Sequence, residues 1–221
     1  MQGRYTYRLK YAKTDAARYI SHLDFVRVLN RTLRRSNFPV TYTEGFNPHT
    51  VMTVASPISV GVTSECEYMD IDMDDKVSPN EVISRFNEVF PIGIRVLDAK
   101  ILDEGEVKFK HIDSARYRVE IEMLTEMIPN IRDFMDMETI IVSKKSKSAV
   151  KDVDLKPDIY GLKILSQSGK FISLEIEASS GNYNVKPELV VEAMKKYIDG
   201  FDVEFMQVHR IGLYAKGKEL M

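Results

Sequence analysis

RYTYRLKYA, the sequence of residues 4–12, decides the fold of the first part of the chain. Tyrosine and leucine alternate there with arginine, threonine and lysine, and such alternation is typical of a β-strand with one buried face. The sequence SHLD follows at residues 21–24, where Ser21 as N-cap and Asp24 three residues later form a capping-box pattern. We therefore predict a strand followed by an α-helix that extends to about Ser36.

Further strands and a second helix complete the first pattern. Strands are predicted at Phe38–Tyr42, 51–54, Glu67–Met73 and Ile94–Leu102. Ser78 as N-cap and Pro79 at the first helical position begin a helix that ends near Phe90. The order β-α-β-β-α-β is that of ferredoxin-like folds.

The second half has a similar order of elements. Strands are predicted at Arg116–Met123, Thr139–Val142, Tyr160–Leu165, Phe171–Ala178 and Phe205–Tyr214, with helices from Pro129 to about Met137 and from Pro187 to Ile198. We predict an α+β chain of two ferredoxin-like units, with tandem antiparallel sheets and helices on one face. Residues 1–104 form the first domain and residues 115–221 the second, joined by a charged linker.

The composition is that of a globular protein, with 44% hydrophobic and 29% charged residues among 221. Cys66 is the only cysteine, which excludes an internal disulfide and any all-cysteine zinc or iron–sulfur site. No signal peptide and no apolar run of about 20 residues is visible, so we expect a cytoplasmic protein without a membrane span. The four histidines lack metal-ligand spacing, and we expect neither a metal nor a cofactor. Asp70, Asp72, Asp74 and Asp75 resemble a site for a hard cation, but Asp70 and Asp72 fit the polar face of a strand and no calcium-loop pattern is present.

Charge is distributed unevenly. Residues 1–60 hold nine Lys/Arg against three Asp/Glu, and residues 61–113 hold six against thirteen. In the first helix, an apolar stripe of Val26, Leu29 and Leu33 is predicted opposite four arginines. These arginines are Arg27, Arg31, Arg34 and Arg35. Guanidinium groups on one helix face suit phosphate oxygens, whereas the alternative is a solvated helix surface on which Asp24 pairs with Arg27.

Two loops carry further candidate binding residues. In the loop Glu44–His49, Gly45 permits a positive φ, and an exposed Phe46 could stack on a base beside Asn47 and His49. The alternative is a tight loop whose phenylalanine fills the core. The loop before the last predicted helix contains Asn182, Tyr183 and Lys186 and is either an anion cradle or an ordinary helix entry.

His22 is the first candidate for a catalytic residue, since the N-terminus of a helix keeps an imidazole neutral and able to accept a proton. The alternative is a histidine with a structural role at the helix entry. A metal-independent endoribonuclease would need such a base together with a cation at the phosphorane, for which Arg31 or His49 are candidates.

Several motifs together resemble a known family. They are RYISHLD at residues 18–24, RTLRR at 31–35, GFNPH at 45–49, SECEY at 64–68, GNYNVKPE at 181–188 and RIGLY at 210–214. The chain is similar over nearly its whole length to the radical-SAM-linked family of uncharacterised domains. The resemblance implies an RNA or ribosome context, because genes of that family often lie near those of an E/G-type ribonuclease and ribosomal proteins. It implies no established activity.

We therefore favour a non-catalytic protein that binds tRNA or rRNA, or presents it to a radical-SAM enzyme or a ribonuclease. One alternative is a protein-docking module that does not touch RNA. The other is the endoribonuclease, for which the architecture resembles the repeat-processing enzymes of CRISPR systems. The Gly-rich C-terminal loop of those enzymes is missing here, because Gly212 and Gly217 are isolated.

Overall fold

The computed structural model describes residues 4–145 and 150–221. Within these ranges the chain is a mixed α/β protein with four α-helices, in agreement with the predicted α+β class. It divides into two compact units. Unit 1 comprises the chain up to Phe109 together with Glu219–Met221, and unit 2 comprises Lys110–Lys218.

The sheet of unit 1 is antiparallel. It contains β1 Tyr5–Lys13, β2 Met52–Val54, β3 Thr63–Met73 and β4 Ile94–Ile101. β1 lies between β3 and β4, and β2 borders β3, so the strand order is β4-β1-β3-β2. The alternation of β1 places Tyr7 and Leu9 in the core, where their strand neighbours Ile71 and Met69 are also buried.

Two helices pack on this sheet, α1 His22–Arg35 and α2 Pro79–Val89. The predicted N-caps are confirmed: the Ser21 hydroxyl accepts a hydrogen bond from the Asp24 amide at 3.2 Å, and Ser78 caps α2 in the same way. In α1 the buried stripe includes Phe25, whose ring stacks on that of Tyr11 at 5.2 Å, whereas Val26 is only half-buried. The buried stripe is therefore rotated around the helix axis relative to the prediction, away from Val26 and towards Phe25.

The segment Phe38–Tyr42 is not a strand, contrary to the prediction. It forms only isolated bridges, from Val40 to Met73 and from Tyr42 to Thr50. Pro39 has no amide hydrogen for a ladder, and the Phe38 ring turns into the core, 5.0 Å from the ring of Phe86. The missing amide hydrogen of Pro39 and the buried ring of Phe38 therefore outweigh the β-like composition of this segment.

Unit 2 contains four neighbouring antiparallel strands of a larger sheet and a separate two-stranded sheet. Its strands are β5 Ile112–Met123, β6 Ile141–Lys145, β7 Val150–Asp154, β8 Ile159–Ser168, β9 Phe171–Ser179 and β10 Val203–Ala215, followed by β11 Lys218–Glu219 at the end of the chain. The order in the larger sheet is β10-β5-β9-β8, and β6 pairs with β7. Helices α3 Ile131–Asp136 and α4 Pro187–Tyr197 complete the unit. The predicted β8–β9 hairpin and the last helix are confirmed.

The loop that leads into α4 is tied to the start of β5. The Ser180 amide donates to the Asp113 carbonyl at 3.0 Å, and the Val185 amide donates to the Ser179 carbonyl at 3.0 Å. Gly181 has φ +103°, and a Cβ at this position would lie 2.3 Å from the Ile112 carbonyl oxygen. The loop therefore has little freedom to shift, because backbone groups hold it at both ends.

Gly181→Ala is expected to lower the free energy of unfolding by at least about 1–3 kcal/mol, the cost of a strained backbone, because the clash is with backbone atoms. Urea unfolding measures this loss. Gly105→Ala is the matched control, since its φ of +98° is similar but no atom of the described residues lies within 4 Å of the added Cβ. Equal losses in the two variants would show that the close approach at Gly181 is unimportant.

Candidate nucleic-acid interface

The outward side of α1 carries the four arginines that the sequence singled out, and all four are exposed. The Arg27 guanidinium is 2.8 Å from the Asp24 carboxylate. Hydrogen bonds from Ser21 and Arg27 lower the pKa of the Asp24 carboxyl, so this pair stays ionised. Within residues 4–145 and 150–221, no side chain or backbone group pairs with the guanidinium groups of Arg31, Arg34 and Arg35. Three fixed cations are thus available to a ligand.

The loop 43–49 presents an aromatic ring to solvent. Thr43 and His49 close it, because the Thr43 amide donates to the His49 carbonyl at 2.8 Å and the His49 amide to the Thr43 hydroxyl at 2.9 Å. Gly45 has φ +120°, which the sequence allowed for. Phe46 is fully exposed, so it does not fill the core, and Asn47 and the His49 side chain are exposed too.

A side-chain contact connects this loop region to α1. The Thr50 hydroxyl donates to the Asn30 side-chain oxygen at 3.2 Å, and the Asn30 amide donates to the Val26 carbonyl at 2.9 Å. At about 100° per residue, Asn30 lies within about 60° of Arg27 and Arg34 around the helix. The loop therefore begins and ends beside the arginine side of α1. We call the four arginines together with Phe46, Asn47 and His49 the arginine–phenylalanine surface.

His22 lies elsewhere on the helix. Around α1 it is about 140° from Arg27 and close to the direction of Leu29. Its side chain is exposed and borders a cavity of about 10 Å³, enough for roughly one water molecule. No hydrogen bond joins it to His49 in the described part of unit 1. A nucleotide does not fit this space as it stands, and a catalytic role of either histidine remains a prediction.

Two buried charged residues line the same small cavity, and the sequence analysis did not identify them. Lys13 is 5% exposed and donates from its ammonium group to the Ile20 carbonyl at 2.7 Å, while Glu67 is 1% exposed. Burial lowers the pKa of Lys13, and the negative charge of Glu67 partly counteracts this. The sequence does indicate the burial of Lys13, since this residue continues the alternation of Tyr7, Leu9 and Tyr11 on the buried face of β1.

The loop–helix region of unit 2 forms a much larger cavity, of about 590 Å³. Asn182, Tyr183 and Lys186, which the sequence analysis proposed as binding residues, all line it. Its other lining residues are Ser143, Asn184, Glu188, Leu189 and Glu192. Partial burial, and secondarily the Asp158 carboxylate, raise the pKa of the Tyr183 hydroxyl, which therefore keeps its proton. Two of these residues are carboxylates of α4, which the prediction of an anion cradle did not anticipate.

The aspartates of β3 are engaged within unit 1. Both oxygens of Asp70 accept from Arg8 at 2.8 Å, and Asp72 accepts from Arg4 and Thr6 at 2.6 and 2.7 Å. Across the residues that the structure describes, no group of three or more His, Cys, Asp and Glu side chains has the arrangement of a metal site. In the same residues, no helix is both long and apolar enough to cross a membrane.

Comparison with known proteins gives one family and a likeness of fold. The model of the family described as "Uncharacterized protein conserved in bacteria (DUF2344)" matches residues 6–187. A chain in the crystal structure of a Cbf5-Nop10-Gar1 complex is similar with a TM-score of 0.51 and 10% sequence identity, over 92% of this chain and 47% of that chain. The protein thus spans about half the length of that solved chain, and the likeness concerns the fold alone. No curated protein matches by sequence.

Proposed function

The chain belongs to the uncharacterized bacterial family DUF2344, and we propose that it is a non-catalytic protein that binds structured RNA through the arginine–phenylalanine surface of unit 1. The observation that carries the proposal is the presence of three unpaired arginines on one helix side, next to a loop with a fully exposed Phe46. Within the described residues, the guanidinium groups of Arg31, Arg34 and Arg35 make neither a hydrogen bond nor an ion pair that would occupy them.

The chemistry of the surface fits a nucleic-acid backbone. Each guanidinium is permanently charged and donates two parallel hydrogen bonds to phosphate oxygens. Residues 1–60 supply nine basic and three acidic side chains, so an anion meets a local excess of positive charge although the whole chain carries −2. Asn47 and His49 add donors that can reach sugar or base edges.

Phe46 adds a contact to a base, which the contacts of the arginines with phosphate do not provide. Aromatic side chains stack on unpaired bases of RNA loops and bulges, and one stack contributes about 1–3 kcal/mol. An arginine-rich helix beside a single stacking residue favours structured RNA with an accessible loop, such as tRNA or rRNA, over a uniform duplex.

The role in the cell that we propose is presentation of RNA to a modifying or processing enzyme. The resemblance of the sequence motifs to the radical-SAM-linked family supports a radical-SAM enzyme or a ribonuclease as the partner. The strand orders β4-β1-β3-β2 and β10-β5-β9-β8, with neighbouring strands antiparallel, support the further proposal that both units are ferredoxin-like.

Phe46→Ala is expected to weaken binding of a tRNA or an rRNA hairpin by about 5- to 100-fold, because a base–aromatic stack is lost. Fluorescence anisotropy with labelled RNA at fixed salt measures the change. Phe46→Tyr keeps the aromatic face and should bind within about 3-fold of the wild type. If wild-type protein shows no salt-sensitive binding to a panel of structured RNAs, the proposed function is wrong.

A further inference from the structure

The cavity at the start of α4 offers hydrogen-bonding groups that the protein leaves unused. Within the described residues, no partner is bonded to the side chains of Asn182, Asn184, Lys186 and Glu188, all of which line the cavity. The Glu192 carboxylate differs, because Lys195 lies 3.2 Å from it. The cavity thus holds two free amides, one free ammonium group and one free carboxylate.

An aromatic ring borders the same groups. Tyr183 lines the cavity and is 40% exposed, and its carbonyl accepts from the Ser179 hydroxyl at 3.1 Å. The backbone contacts of the loop hold the Tyr183 backbone in place, and the exposed part of its side chain borders the cavity, where a planar ligand can approach it. A volume of about 590 Å³ lies within the range of small-molecule and cofactor sites, roughly 300–1,000 Å³.

From this arrangement we infer that the α4 cavity binds a single guanine nucleotide, with the base on the Tyr183 ring, the base edge at Glu188 and the phosphate at Lys186. A planar ring, a mixture of donors and acceptors and one ammonium group match a nucleotide better than a simple anion. Phosphate alone would meet the free Glu188 carboxylate close to Lys186, which a simple anion cannot use.

Guanine is selected by the free carboxylate. An ionised carboxylate only accepts hydrogen bonds, and its two oxygens accept in parallel. The Watson–Crick edge of guanine carries two adjacent donors, whereas that of adenine places an acceptor beside its donor and would face the carboxylate with a lone pair. The amides of Asn182 and Asn184 donate and accept, so they can satisfy the remaining base and ribose groups.

The nucleotide can be free or part of an RNA strand. In the second case the inference rests on the proposed function, because the nucleotide would belong to an RNA that the protein binds. The shared chemistry is the guanine base with one phosphate, and the two sources are separated by experiment.

Isothermal titration with 5′-GMP, 5′-AMP and 5′-CMP tests the free form, and titration with pentaribonucleotides containing one guanine or one adenine tests the strand. We expect the guanine ligand to bind about 10- to 100-fold more tightly than its adenine counterpart in at least one series. Glu188→Gln should abolish this preference, and Tyr183→Ala should weaken all bases alike. Glu192→Gln is the matched control and should keep the preference, since that carboxylate is already paired with Lys195.

Each outcome decides between support and rejection. Preference for guanine in the mononucleotide series identifies a free nucleotide, and preference in the pentanucleotide series alone identifies an RNA base. Equal binding of guanine and adenine, no binding in either series, or an unchanged preference in folded Glu188→Gln overturns the inference. Binding of structured RNA by unit 1 in the absence of any guanine preference would reject this inference while the proposed function stands.

Discussion

Replacing Arg27, Arg31, Arg34 and Arg35 together by glutamine is expected to weaken binding of structured RNA by about 100- to 1,000-fold near physiological salt. Glutamine removes the charge but has a similar helix propensity, so α1 should remain folded. Each arginine that neutralises a phosphate also releases counterions. The slope of log K against log salt concentration should therefore fall in magnitude by about 3–4 in the variant. Anisotropy titrations between 50 and 300 mM salt measure both quantities.

A matched control separates this surface from net charge. Four basic residues of unit 2, each within an ion pair, are replaced by glutamine in a second variant: Arg132, Lys163, Lys170 and Lys195. This variant has the same net charge as the first, and we expect its affinity to stay within about 3-fold of the wild type. Similar losses of affinity in both variants would mean that RNA binding depends only on the net charge of the protein. Undiminished RNA binding by the first variant would mean that the arginines of α1 form only a solvated helix surface.

Local patterns in the sequence were sufficient for most elements. Ser21 and Ser78 mark helix starts through hydrogen bonds within one turn, and the hairpin of β8 and β9 follows from alternating residues around a short turn. The exposure of the four arginines follows from the 3.6-residue period alone. These features depend on neighbours within a few residues, and such neighbours are visible in the sequence.

The remaining features depend on contacts between distant segments. The Phe38 ring occupies a core position next to Phe86, which no local pattern indicates. For this reason the strand predicted at Phe38–Tyr42 is not formed. Arg8 lies on the polar side of β1, yet it is 1% exposed, because Asp70 binds it and the ring of Phe109 lies 4.4 Å away. The sequence analysis identified only some of the residues that line the unit 2 cavity, because no local pattern distinguishes Glu188 and Glu192 from other acidic residues of a helix.

Lys13 and Glu67 show why such contacts matter energetically. An ammonium group that leaves water needs compensation, and Lys13 has the Ile20 carbonyl at 2.7 Å and the charge of Glu67. Glu67→Gln is expected to lower the free energy of unfolding at pH 7 by about 1–3 kcal/mol, because the buried Lys13 ammonium group loses the nearby negative charge that offsets its burial. Urea unfolding measures the loss. The double variant Lys13→Met/Glu67→Gln should recover part of it, because no buried charge then remains unbalanced.

The pH dependence of the loss distinguishes a charge effect from a packing defect. The pKa of Lys13 in the folded protein lies below its ordinary value of 10.5, so the unfolded chain binds the additional proton between these two values. The free energy of unfolding therefore rises with pH across that window. Without Glu67 the pKa of Lys13 falls further and the window widens towards neutral pH. Glu67→Gln should thus regain stability relative to the wild type as the pH is raised from 7 towards 10. A loss that is constant over this range, and equally large in the double variant, would mean that Glu67 acts through its shape and hydrogen bonds instead of its charge.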